Sequence, residues 1–159
     1  MTAQLVMYED EFTKINAICD RLARDASAQL VFVVDKNGQL ISASGHTQQI
    51  DTTSLASLTA GNVAAMGGLA KLLGESEFPN QFHEGERESL YMTLVGSRIV
   101  LVVIFENRTS LGLVRLRVKK ASDELTKIFE SLNQRTAPPG ITSPFAEISD
   151  DDIDNLFSE

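Results

Sequence analysis

The side chains best suited to catalysis are few in this chain and far apart. The two histidines, His46 and His83, fall in separate connections, and the one cysteine, Cys19, has neither beside it in sequence. A zinc site needs convergent nitrogen and sulfur ligands, and a nucleophilic serine or cysteine needs a positioned base. These spacings assemble neither. Cys19 falls on the stripe Phe12, Ile15, Cys19, Leu22, Ala26, where a free thiol reads as a small buried hydrophobe. Glu75, Glu77, Glu84, Glu86 and Glu88 crowd one connection, the pattern of a solvated rim rather than of an acid–base pair.

Phosphate binding is no better served. The chain has no GxxxxGK[ST] loop and no GxGxxG after its first strand pattern, and Gly61, Gly67 and Gly68 fall inside a helical pattern, where backbone amides cannot cradle a phosphate. No catalytic residue, metal or cofactor is therefore expected. The net charge of −8 disfavours a nucleic-acid partner. Much of that charge sits in the tail, which has six acids and no base from Thr136 onward. The apolar runs Val63 to Leu73 and Ile99 to Phe105 fall short of the roughly 20 residues a membrane-spanning helix needs, so no transmembrane segment is expected. A lone cysteine and an acidic start at Glu9, Asp10 and Glu11 suit a cytoplasmic protein with no export signal.

The unusual chemistry is an absence of bulk. Ala60, Ala64 and Gly68 recur at four-residue spacing beside Ser57, Gly61 and Ala65, which makes a strip of small residues along one helix. Each interior glycine costs a helix about 1 kcal/mol relative to alanine, so three within eight positions imply a close packing partner. Two partners fit. The strip packs flat on its own sheet, or Leu55, Leu58, Met66, Leu69 and Leu73 face the sheet and the strip meets another chain.

Two further surfaces stand out. Lys14 and Arg21 on the first helix and Arg115, Arg117, Lys119, Lys120 and Lys127 on the third read as solvated faces. Their functional alternative is a second docking patch, centred on Lys14, Arg115 and Lys120, for an acidic partner or, second to that, an acidic membrane surface. In the tail, Ser149 before Asp150, Asp151 and Asp152 is a helix-start signature, and Ile153, Leu156 and Phe157 would share one side of a helix able to lie in a groove.

The elements that must position these features follow from periodicity. Three-and-four spacing predicts a first helix over 9–26 and a third over 110–134, capped by Thr109 or Ser110. LVFVVD at 30–35, a turn at Asn37-Gly38 and a strand from Leu40 predict a hairpin. Asp51 and Gly74 bracket a middle helix from Thr52 to about Leu73. A short edge strand near Phe82, an alternating strand over 89–95 and a central strand over 99–105 follow. The expected fold is α+β, an antiparallel sheet with the first and third helices on one face and the middle helix on the other. Pro138, Pro139, Gly140 and Pro144 divide the chain into a domain at 1–135, a linker at 136–148 and an acidic terminal helix at 149–159.

The element order and the stretches DTTSLASLTAGNVAAMGGLAKLLGE, FPNQFHEG and RTSLGLVRLRVKKASDEL resemble the Roadblock superfamily, and within it the gliding-motility branch. That resemblance implies a homodimer with sheets joined edge to edge and the paired middle helices forming a platform. The implied partner is a small Ras-like GTPase in its GTP state, bound one per dimer. It implies GTPase binding at Ala60, Gly61, Ala64 and Gly68, stimulation of hydrolysis by stabilising the GTPase's own catalytic residues, and a role in cell polarity and gliding motility. Other polarity proteins and a place at a cell pole belong to the same expectation, as does a tail contact through Ile153, Leu156 and Phe157. The competing expectation is a Roadblock scaffold that binds without activating.

Overall fold

The computed structural model describes residues 9–48 and 50–136. The expected linker and terminal helix, with Ile153, Leu156 and Phe157, lie outside the described residues.

The order is α1 (Glu9–Asp25), β1 (Ala28–Asp35), β2 (Leu40–Gly45), α2 (Thr52–Leu72), β3 (Asn80–Glu84), β4 (Glu88–Val95), β5 (Ile99–Glu106) and α3 (Leu111–Thr136). The strands form one antiparallel sheet in the order β2-β1-β5-β4-β3. The most apolar segments, β1 and β5, pair at its centre from Asp35↔Ile99 to Ala28↔Phe105. They need cover on both faces because successive side chains point to opposite sides. On one face Val31, Val33, Leu101 and Val103 pack with Ile15, Cys19 and Leu22 of α1 and Val114, Val118 and Leu125 of α3. On the other, Leu30, Phe32, Val34, Val100 and Val102 pack under Ala56 of α2.

Two local expectations are corrected. Phe12 is exposed and Ile18 is buried, because the buried face of α1 centres on Glu11, Ile15, Ile18 and Leu22 and leaves Phe12 at its margin. In the β1–β2 turn only Gly38 has a positive φ, at 93°; Asp35 organises the rest by accepting from Asn37 N at 2.7 Å and Gly38 N at 2.8 Å.

Both ends of α2 obey their signals. Asp51 accepts from Thr53 N at 3.1 Å, Ser54 N at 3.2 Å and Ser54 Oγ at 2.7 Å, and Gly74 at φ 82° ends the helix. The Ser54 hydroxyl and amide, followed by the Thr53 amide, hold the Asp51 carboxyl below its usual pKa. A depressed pKa means its contribution to stability is present above the unfolded-state value and is lost as pH falls through the folded one. Asp51→Ala is therefore expected to lower the melting temperature at neutral pH, and the gap from wild type should close in acid; scanning calorimetry across pH measures both.

Candidate functional site

The candidate site is built on α2, whose orientation shows which way the small strip faces. Ala56, Thr59 and Ala70 are the buried positions, with Leu55 and Val63 packed beside them. On the outer side, Gly61, Ala64, Ala65 and Gly68 are exposed or partly so, while Ala60 is half-buried at the flank. A β-carbon added at Gly61, Gly67 or Gly68 would meet no heavy atom within 4 Å beyond the helix's own neighbourhood. Nothing in the subunit needs these glycines to be small. Their cost of about 1 kcal/mol each has no internal compensation.

The expectation that the leucines would then face the sheet is only partly met. Leu55 does, but Leu58 is 72 % exposed, Leu72 84 % and Leu73 65 %, and Leu69 is exposed as well. The sheet face below is already filled by Leu30, Phe32, Met92 and Val102, so the helix lies on it through small residues and sends its bulk outward. Sequence reasoning missed this exposed row. Its signal was present, since α2 carries apolar residues on every side and no polar face to mark solvent.

Beside the strip, between α2 and the outer strands, runs a cavity of about 370 Å³. Ala60, Ala64, Gly67 and Gly68 form its helical wall, and Phe78 and Leu94 lie opposite. Lys71 and the Lys36–Glu77 ion pair, at 3.2 Å, add the charged residues at its margin. The trough suits a second apolar surface laid along α2.

The other singled-out residues lie elsewhere. Cys19 is fully buried, and burial pushes its thiol up to about 11, which removes the reactive thiolate at neutral pH. Among the described residues no group of three or more His, Cys, Asp or Glu could hold a metal ion, and no helix is long and apolar enough to cross a membrane.

The basic residues are spread over both helices of the opposite sheet face. α1 and α3 run antiparallel, since α1 ends beside Ala28, whose partner Phe105 leads into the start of α3. Arg21 pairs with Glu124 across the two helices. Two turns back along α1, Lys14 lies about 10 Å further toward the C-terminal end of α3, away from Arg115 and Lys120. Arg115 and Lys119 instead line a groove on the side of α3 that faces β3 and β4.

A model of the Roadblock/LC7 domain matches residues 14–105, which contain α2, the whole sheet but its last residue and most of α1. The chain belongs to the Roadblock/LC7 family. It is similar to the solved structure of Myxococcus xanthus MglB at 84 % identity, covering 80 % of this chain and 96 % of that one, with a TM-score of 0.77. The gliding protein MglB of Thermus thermophilus is 32 % identical, covering 82 % and 99 %, with a TM-score of 0.75. An MglB with a tetrameric arrangement is 30 % identical, covering 83 % and 99 %, with a TM-score of 0.76. A comparison with curated proteins finds no match. The Roadblock/LC7 fold thus accounts for the placement of α2 alone on one sheet face, with α1 and α3 on the other.

Proposed function

We propose that this Roadblock/LC7 protein is a GTPase activator that works as a cytoplasmic homodimer, binding one small Ras-like, MglA-like GTPase in its GTP state. The observation that carries the reading is the outward strip of α2, where Gly61, Ala64 and Gly68 are unconstrained by their own subunit. Similarity at 84 % identity to Myxococcus xanthus MglB supports it. In this reading β3, the exposed strand at the sheet's end, pairs with its copy. The two α2 helices then lie side by side, with Ala60, Gly61, Ala64 and Gly68 forming the floor on which the GTPase sits. A single globular partner across the two-fold axis blocks a second one.

Activation without a catalytic site has two physical routes, an inserted arginine or stabilisation of the GTPase's own catalytic arrangement. The arginines favour the second. Arg98 pairs with Asp35 at 3.5 Å, Arg108 with Glu106 at 2.5 Å, and Arg115 lies across the sheet from α2. Alanine at each is expected to keep GTP turnover within about threefold of wild type, less than about 1 kcal/mol of barrier; a collapse with binding intact would mark a finger.

The tail adds a tethered contact with the bound GTPase through Ile153, Leu156 and Phe157. Truncation from Pro144 onward should weaken the complex severalfold in a titration with labelled GTPase. The deciding experiment is single-turnover GTP hydrolysis by the cognate GTPase with and without this protein. Binding without acceleration would make the protein a scaffold.

A further inference from the structure

We infer that the acidic C-terminal segment of this chain docks on its own domain, in the groove between α3 and the β3–β4 end of the sheet. The helix layer on that face is incomplete. α1 lies over β1 and β2 and α3 over β4, which leaves β3 at the margin. The resulting groove measures about 580 Å³, with Asn80, Tyr91 and Thr93 on its sheet side and Arg115, Leu116 and Lys119 on its helix side.

Three properties of the groove select the ligand. Its sheet side is internally satisfied, since Tyr91 Oη and Thr93 Oγ1 both donate to Asn80 Oδ1, at 3.2 and 2.7 Å, so it does not demand a polar guest. It offers apolar area, because Leu116 is 64 % exposed, and Phe82, on the same sheet face and stacked on Phe105, is 40 % exposed. Its rim carries two cations, Arg115 and Lys119, against one acid, Asp123. The matching ligand is a short acidic segment with apolar anchors.

The chain carries such a segment. Beyond Thr136 it has six acids and no base, with Ile153, Leu156 and Phe157 at the i, i+3, i+4 spacing that aligns side chains on one helix face. As a helix, residues 149–159 would be about 16 Å long, the same as the stretch of α3 from Gly112 to Asp123 that lines the groove. Reach is ample. Leu116 lies about 30 Å back along α3 from Thr136, whereas the chain from Thr136 to Ile153 spans up to about 56 Å. Tethering at this length gives a local concentration on the order of millimolar, enough to populate a weak contact. One consequence rests on the GTPase reading: the same anchors are assigned to the bound GTPase, so groove and GTPase compete for the tail.

The test uses the full-length protein without any GTPase, so its failure leaves the activator reading standing. A nitroxide is attached at Ser158→Cys; the buried Cys19 does not take it. Paramagnetic broadening of the amides of Asn80, Tyr91, Leu116 and Lys119 is expected, and it should fade at high salt as the ion pairs are screened. The double variants Arg115→Glu/Lys119→Glu and Leu156→Ser/Phe157→Ser should each abolish it. Broadening confined to residues next to Thr136, or centred on α2, overturns the proposal. So does a mixed sample in which spin-labelled chains broaden the groove of isotope-labelled partners more strongly than a chain carrying both labels broadens its own, which would assign the groove to another copy's tail.

Discussion

Gly68→Arg is expected to abolish stimulation of GTP hydrolysis while leaving the subunit folded. A side chain at Gly68 meets nothing of its own domain within 4 Å. Arginine is a good helix former, so within the isolated subunit the exchange removes a penalty of about 1 kcal/mol. The loss must then come from outside the subunit. On a surface where a partner approaches the helix backbone, a long charged side chain both holds the partner away and buries a charge without a counter-ion. Affinity for the GTP-loaded GTPase should fall at least about 100-fold, or about 2.8 kcal/mol.

Two companions make that result interpretable. Gly68→Ala adds one methyl group in open space and should stabilise the fold by about 1 kcal/mol with a modest effect on binding. Ala64→Arg lies one turn earlier on the same face and should reproduce Gly68→Arg. Light scattering separates the two places where the damage can act, since a variant that is dimeric but inactive has lost the GTPase contact. A variant that is monomeric has lost the pairing of the α2 helices. Folded, dimeric Gly68→Arg with full stimulation would refute the α2 site.

How much of this was legible in the sequence depends on whether a signal was local. The caps of α2, Asp51 and Gly74, are local chemistry and fell where expected. So did the central place of β5, whose continuous apolar run has to be covered on both faces. The bearing of α2 is not local. Small residues and leucines alternate around its whole circumference, so periodicity alone could not choose an inner side; the choice was made by the sheet, where Leu30, Phe32 and Val102 are covered most closely by Ala56, with Leu55 and Val63 packed beside it. The relative placing of the basic residues is not local either. Lys14, Arg115 and Lys120 have the same charge, but the antiparallel packing of α1 on α3 that separates Lys14 from the other two is a property of the tertiary fold.

The close seat of α2 makes Phe32 the position where a core change should reach the functional surface. Phe32 is fully buried on β1, flanked in the sheet by Ala43 and Val102, and lies in the cluster covered by α2. Its truncation in Phe32→Ala should cost about 3–5 kcal/mol, because strands paired on both sides cannot move in to fill the space. That is a large part of the roughly 5–15 kcal/mol that holds a domain of this kind together. Urea unfolding should show the midpoint falling with little change in slope. Activity should then be lost with a temperature dependence that follows the unfolding curve, whereas Gly68→Arg is inactive at every temperature. Phe32→Leu, which keeps much of the volume, should recover both stability and stimulation; if it restores the fold without the activity, the packing beneath α2 sets the shape of the GTPase surface as well as its stability.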